Sequence, residues 1–165
     1  MTKPTPETRH KSTPPAGALT APTGLSGKGV KDYNAAIGSV VLSDIKLVYM
    51  AFQVTPKYWA ANLEHKFSYG LKLDKFNFDQ ETGDALGVFE CNVSSSIDSE
   101  LVLTASASYL IVYSDLSGHT ENTAKMLLEG VGGIAVYPYF RSLVATLSWN
   151  SGANLPPLPV LKLGA

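Results

Sequence analysis

The alternating run at residues 101–113 constrains the fold more than any other stretch of the chain. Apolar or small side chains recur at every second position, and Thr104, Ser106 and Ser108 lie between them. Successive side chains of a strand point to opposite faces, so the run predicts a long strand with one buried face and one wet face. Such a strand requires neighbouring strands and a covering layer on its apolar face.

Three earlier segments are also predicted to be strands. Residues 39–54 carry β-branched and aromatic side chains on both alternating sets, which is typical of a strand covered in part on both faces. Residues 67–73 alternate strictly, and the apolar set then shifts to Phe76 and Phe78, which predicts a bulge or a strand end near Lys75. A third strand spans residues 86–97. Turn residues around Gly83 and at positions 96–99 predict an antiparallel meander.

Two helical pieces are expected after the strands. Thr120 is a plausible N-cap for a short helix that runs to residue 129, and glycines at 130, 132 and 133 are expected to break it. Pro138 suits the first turn of the main helix, and Gly152 suits its end. The order predicts an α+β fold in which helices pack on one face of a four-stranded antiparallel sheet.

One stripe of the main helix is expected to pack on the sheet or on a neighbouring subunit. Its apolar members recur at three- and four-residue steps, which places them on one helical face. They are Tyr137, Phe140, Leu143, Val144 and Leu147. Arg141, Ser142 and Ser148 fall outside this stripe.

The first 38 residues are predicted to form a disordered tail. They are rich in Pro, Thr, Gly and Lys and contain almost no large apolar side chain before Leu19. Such a segment buries too little surface to offset its ordering entropy. Residues 39–165 are therefore expected to form the single folded domain.

Composition disfavours several classes of partner. The formal net charge is −1 and the pI is about 6.3, so neither nucleic acid nor an anionic membrane attracts the chain. No apolar run approaches the eighteen residues of a membrane span, which argues against membrane insertion. The single Cys91 has no internal disulfide partner, and no secretory h-region follows the start. A cytoplasmic location is expected.

No group of residues in the sequence indicates catalysis. His10, His65 and His119 have no metal-ligand spacing around them, and Cys91 lies in an apolar strand as buried filler. The glycines at 130–133 lack the context of a nucleotide-binding loop. We therefore predict a non-enzyme with no catalytic residue, no metal and no cofactor.

A surplus of large apolar side chains lies outside the obvious core faces. Its members are Tyr58, Trp59, Phe76, Phe78, Tyr139, Leu155 and Leu158. Another element or subunit can cover them, or they can line a groove for apolar segments of another polypeptide. Both explanations stay open, because an oligomer interface and a groove can share an edge.

The C-terminal stretch, residues 135–163, resembles the signature of the SecB export chaperones and their SecB-like relatives. Tyr137, Pro138, Tyr139 and Arg141 match the element that opens the main helix of that family. Gly152, Leu155, Pro156, Pro157 and Leu158 match its loop and Pro-containing strap. Four antiparallel strands with an aromatic crossover after the first are also similar, so the resemblance covers residues 40–163.

This resemblance implies a chaperone without catalytic activity that assembles as a dimer of dimers and binds unfolded or nascent polypeptides. The predicted polypeptide-binding groove comprises Tyr58, Trp59, Phe76, Phe78, Leu155, Pro156, Pro157 and Leu158. Residues of the family motif with roles in packing or oligomerisation are Tyr137, Pro138, Tyr139, Phe140, Arg141, Leu143, Val144 and Leu147.

Three features depart from the family pattern. The chain is nearly neutral, and Asp44, Asp98 and Glu100 are its main candidates for docking a translocase ATPase. It ends soon after the strap, without a second long helix, and its N-terminal tail has no counterpart. The expected role is therefore protein export, with a translocase ATPase as partner, or service to a dedicated client such as an antitoxin. The alternatives are an assembly protein that uses the fold only to oligomerise, and a small-ligand module or enzyme with an enclosed pocket.

Overall fold

The computed structural model describes residues 27–60 and 63–161. Its helices are α1 (Gly27–Ser39), α2 (Glu121–Leu127) and α3 (Gly133–Ser151), with a 3-10 turn at Pro56–Trp59 and a π-helical turn at Leu128–Gly132. Its strands are β1 (Val41–Val54), β2 (Lys66–Asp79), β3 (Asp84–Ile97) and β4 (Glu100–Ser114).

The four strands form one antiparallel sheet in the order β1-β4-β3-β2. β2, β3 and β4 are a meander, and β1 pairs with the outer side of β4. α3 crosses one face and contacts all four strands. The predicted α+β fold with a four-stranded antiparallel sheet is confirmed.

Alternation along β3 and β4 builds the core. Every second side chain of both strands is buried beneath the helices, and the residues between them are partly exposed on the other face. The bulge predicted near Lys75 is present, because the β2–β3 register shifts between Leu73 and Lys75. Phe76 and Phe78 consequently stay on the same, covered face as Leu71 and Leu73, opposite Gly87 and Ala85 of β3.

The glycines at 130–133 join two helices, and the predicted helix break at this position is wrong. α2 begins at its predicted N-cap, since the Thr120 hydroxyl accepts the Thr123 N–H. The chain then continues through the π-helical turn directly into α3. A β-carbon on Gly132 would lie 2.8 Å from the ring of Phe89, and one on Gly87 would lie 2.8 Å from Leu128. These glycines therefore allow helix and sheet to approach closely.

Pro138 was predicted in the first turn of the main helix but lies further inside it. Because the π-helical turn carries the helix through the glycines, α3 begins at Gly133 and Pro138 lies inside it, on the exposed side. Gly152 ends α3 with a left-handed φ of +69°, as its position predicted.

The prediction of a tail over residues 1–38 is wrong for its last part, because residues 27–39 form the helix α1. Ala36 is fully buried, and Tyr33 packs against the core. Asp32 accepts a 2.5 Å hydrogen bond from the Thr123 hydroxyl and lies 2.9 Å from Nδ1 of His119. The prediction of a tail rested on the average composition of the first 38 residues, which does not reveal a few contact residues on one face of a short helix. The rest of the predicted tail, residues 1–26, lies outside the described residues.

β1 differs from its prediction in burial. The expected cover is present in part on one face, where Ile45 and Phe52 pack against the core. Six large apolar side chains of β1 are nevertheless exposed in the single chain: Val41, Leu42, Leu47, Val48, Tyr49 and Met50. β1 is an edge strand, so it is paired with β4 on one side only. Within residues 27–60 and 63–161, no helix combines the length and the hydropathy needed to cross a lipid bilayer.

We expect Gly132→Ala to destabilise the fold by about 1–3 kcal/mol. The new methyl group would overlap the Phe89 ring, and a close-packed core accommodates extra volume poorly. Urea unfolding followed by circular dichroism measures the change.

Gly38→Ala is the matched control, because a β-carbon at Gly38 meets no atom within 4 Å. In α1 this substitution should leave stability unchanged or raise it by up to about 1 kcal/mol. Equal stability of Gly132→Ala and the unmodified protein would show that the contact with Phe89 does not constrain the helical layer.

Candidate functional site

The chain reverses direction at the end of α3. Gly152 donates its N–H to the carbonyl of Trp149, and Ala153 donates to that of Ser148, both at 3.1 Å. Residues 153–161 then continue without regular secondary structure. We call residues 153–161 the strap.

Two hydrogen bonds hold the strap along α3. The N–H of Leu155 donates to Oγ of Ser148 at 2.7 Å, and the hydroxyl of Tyr137 donates to the carbonyl of Pro159 at 2.5 Å. Leu155, early in the strap, meets Ser148, late in α3, whereas Pro159, later in the strap, meets Tyr137, early in α3. The strap therefore runs antiparallel to α3. Prolines at 156, 157 and 159 restrict its backbone and reduce the entropy lost on ordering.

Apolar contacts anchor the same segment. Leu158 is only 4% exposed and belongs to the main core cluster. Ala153 is buried in a second cluster that includes Tyr58, and Leu155 packs partly against both clusters. The buried side chains of the strap are thus part of the core, and they fix the position of its exposed residues.

A groove of about 390 Å³ separates the strap from α3. Buried Val144 and Ser148 lie deep in it, while Arg141 and Trp149 are exposed. The full lining is Arg141, Val144, Ala145, Ser148, Trp149, Asn154, Leu155, Pro156, Pro157 and Leu158. We call this the α3–strap groove. Its lining is largely apolar and contains a single charged side chain, Arg141.

The aromatic crossover after β1 lies beside the end of α3. The N–H of Thr55 donates to the carbonyl of Val102 at 2.9 Å, which fixes the start of the 3-10 turn. Trp59 is 51% exposed, and its indole N–H donates to the carbonyl of Gly152 at 3.1 Å. An exposed aromatic ring is thereby attached next to the α3–strap groove.

Tyr58 supports this arrangement from within the fold. It is buried and contacts Trp59 edge to face, with ring centroids 5.8 Å apart. His65 lies 4.6 Å from the Tyr58 ring and 5.9 Å from Phe67, and its Nδ1 lies 2.9 Å from Oγ of Ser95. Tyr58 and His65 therefore have structural roles in positioning Trp59.

The predicted groove residues divide into two groups. Trp59 and Leu155 lie beside the end of α3, where Tyr58 lies beneath Trp59, and Pro156, Pro157 and Leu158 continue along α3 as part of the groove lining. Phe76 and Phe78 lie toward the other end of β2, about 30 and 36 Å from Phe67 by strand rise. There they are partly buried on the sheet face against the core.

The motif residues of α3 alternate between the core and the surface. Tyr137, Phe140 and Val144 are buried, and Leu143 and Leu147 are partly buried. The exposed members are Pro138, Tyr139 and Arg141. Ser148, predicted to lie outside the inward stripe, is buried because its hydroxyl accepts the strap N–H.

Trp149 is the main site residue that sequence reasoning missed. It is 81% exposed on the rim of the α3–strap groove. The available signal was a large aromatic side chain at a helix position outside the inward-facing stripe. Its position beside the strap depends on the chain reversal at Gly152, which helical periodicity does not describe.

Metal binding and nucleophilic attack would depend on titratable side chains among the described residues. They contain no group of three His, Cys, Asp or Glu side chains that could hold a metal ion. Burial raises the pKa of the Cys91 thiol to about 12, so this side chain stays protonated and unreactive near neutral pH. His119 is engaged with Asp32 between α1 and α2. For binding a ligand, the site offers a concave shape, an apolar lining and one cationic side chain, Arg141.

Comparisons with known proteins identify the fold. No protein-family model matches the chain, and no curated protein matches it by sequence. The Mycobacterium tuberculosis Rv1957 SecB-like chaperone, solved in complex with a ChAD peptide from the Rv1956 HigA1 antitoxin, matches with a TM-score of 0.64. The match covers 79% of this chain and 96% of that chain at 18% identity. This chain therefore has a SecB-like fold.

A protein of unknown function from Streptococcus agalactiae also matches, with a TM-score of 0.33 and 8% identity. That match covers 74% of this chain and 96% of the other. A TM-score of this size does not establish a shared fold.

We expect Tyr137→Phe to lower the free energy of unfolding by about 0.5–1.5 kcal/mol. The substitution removes the hydrogen bond to Pro159 and keeps the ring in its packed position. Denaturant unfolding measures the loss. Tyr139→Phe is the control, since Tyr139 is exposed and its hydroxyl has no partner among the described residues. Equal effects of the two substitutions would show that the Tyr137–Pro159 bond does not hold the strap.

Proposed function

We propose that this chain is a SecB-like chaperone that binds unfolded or nascent polypeptides through the apolar surface around its strap. The observation that carries the proposal is the α3–strap groove, with Trp59 and Trp149 exposed beside it, in a chain of SecB-like fold. Large exposed apolar surfaces in a folded protein mark interaction sites.

The chemistry of the surface suits clients without fixed structure. Aromatic rings provide large contact area with few rotatable bonds, so each loses little entropy when it is covered. An unfolded client must itself be ordered on binding, and several weak contacts are needed to compensate for that cost. Activity would consist of binding alone, without catalysis or a cofactor, and we propose that it operates in the cytoplasm.

We favour a dedicated client over general export. The Rv1957 chaperone was solved with a peptide from an antitoxin, and an antitoxin is the kind of client we propose for this chain. Two of the three acidic side chains considered for translocase docking each form an ion pair with a lysine. Asp44 lies 2.5 Å from Nζ of Lys46, and Glu100 lies 2.6 Å from Nζ of Lys57.

We further propose that two copies associate through β1. An edge strand presents unpaired backbone groups, and proteins commonly protect such edges with charged side chains. The β2 edge follows this rule, with Lys66, Lys72 and Lys75 exposed along it. The β1 edge instead exposes six large apolar side chains and has one charged pair, Asp44 and Lys46. Antiparallel pairing of two β1 strands would cover this edge and continue the sheet.

The apolar β1 edge also supports a second candidate function. An assembly protein that uses the fold only to oligomerise would need this edge and would have no affinity for unfolded chains. The two functions differ in client binding, so a client assay separates them.

We expect Trp59→Ala to weaken client binding by roughly fivefold or more, because exposed aromatic anchors carry a large share of binding energy. Stability should fall by at most about 1 kcal/mol, since the ring is half exposed and makes one hydrogen bond. Light scattering during aggregation of a denaturant-unfolded client, together with calorimetry, measures both effects.

Tyr139→Ala provides the control for Trp59→Ala. Tyr139 has similar exposure, 54%, but it neither lines the groove nor bonds to Gly152 beside it as Trp59 does, so client binding should persist. If the unmodified protein neither delays aggregation nor binds the client, the chaperone proposal fails and the assembly function is favoured.

We expect Val48→Lys to reduce the native mass by disrupting the β1 edge. Val48 is exposed in the single chain, so lysine is tolerated by the fold, but two copies would bring like charges into a covered edge. Sedimentation velocity measures the mass. Asn77→Lys, on the exposed side of the opposite edge strand, should leave it unchanged. Retention of the oligomer by Val48→Lys would exclude β1 as the interface.

A further inference from the structure

The α3–strap groove has one charge and no countercharge. Arg141 is exposed and lines the groove, and it has neither an ion pair nor a hydrogen bond to any described residue. None of the lining residues is acidic. Lys46, Lys57 and Lys72, by contrast, each lie within ion-pair distance of a carboxylate. The groove therefore presents an unneutralised guanidinium to whatever occupies it.

The strap limits how a peptide can be recognised. Prolines at 156, 157 and 159 have no N–H, and the N–H of Leu155 is already bonded to Ser148. A peptide strand cannot form a regular backbone ladder with a segment that lacks these donors. Recognition in the groove must therefore depend mainly on side chains, and the two prominent exposed side chains are Arg141 and Trp149.

The spacing of these two side chains defines a matching segment. Arg141 and Trp149 are eight positions apart on α3, which corresponds to a rise of about 12 Å. An extended peptide advances about 3.3 Å per residue, so about four residues span that distance. Positions i and i+4 of an extended chain point to the same side, so both can face the helix.

We propose that the α3–strap groove selects client segments in which an acidic side chain and a large apolar side chain occupy positions i and i+4. The carboxylate binds the Arg141 guanidinium, and the apolar side chain packs on Trp149. The groove has no carboxylate to attract a basic segment, so charge complementarity favours an acidic one. This inference rests on the proposed chaperone function and names the chemistry of its client.

The test uses two synthetic peptides with capped termini and an uncharged fluorophore, which differ in a single side chain. Both are otherwise uncharged and carry Phe at position i, with Glu in one and Gln in the other at position i+4; the reversed order is tested as a second pair. Fluorescence anisotropy measures their affinity for the full chain and for Arg141→Gln. We expect the Glu peptide to bind about fivefold more tightly than the Gln peptide to the unmodified protein in at least one order.

The variants identify the residues responsible. In Arg141→Gln the difference between the peptides should disappear, through weaker binding of the Glu peptide alone. In Trp149→Ala both peptides should bind more weakly while the preference for Glu remains. Lys125→Gln, an exposed lysine of α2 outside the groove lining, should change nothing. Raising the salt to about 0.3 M should reduce the preference, because salt screens exposed charges.

Three outcomes would overturn the inference. They are equal affinity for the Glu and Gln peptides, a preference that survives Arg141→Gln, and failure of both peptides to bind. Protection of an unfolded client from aggregation is measured in parallel. If protection persists, only the acidic selectivity is lost, whereas loss of protection as well would remove the chaperone function itself.

Discussion

The close approach of the helical layer to β3 is the constraint on which the rest of the structure depends. Leu128 comes near both Gly87 and Gly132, and Gly132 lies against the Phe89 ring. Without β-carbons at these glycines, α2 continues through a π-helical turn into α3, and α3 crosses the sheet. The direction of α3 then decides where Gly152 reverses the chain and where the strap runs.

The strap converts one side of α3 into a groove. Ser148 and Tyr137 bond the strap near its start and near Pro159, and Leu158 inserts into the core. These contacts leave Trp149 and Arg141 exposed on the rim. In the function we propose, a strap already held by these contacts would lose little conformational entropy when a segment binds beside it.

The two edges of the sheet differ in a way that bears on assembly. Charged side chains line β2, while β1 exposes apolar residues on both faces. Residues 39–54 have the sequence of a covered strand, although the single chain leaves many of their apolar side chains exposed. The alternating pattern correctly identified a strand with apolar side chains on both faces, but it did not determine how far those faces are covered.

Local patterns in the sequence determined the four strands, the bulge before Lys75, the N-cap at Thr120 and the helix end at Gly152, because each depends on neighbouring residues. The resemblance further indicated that the crossover and strap would meet. Tertiary structure decided that the glycines at 130, 132 and 133 join two helices, that Tyr58 is buried beneath Trp59, and that Phe76 and Phe78 pack against the core on the sheet face. It also placed Arg141 and Trp149 on one rim. These facts depend on contacts between segments distant in the chain, which periodicity and local propensity do not encode.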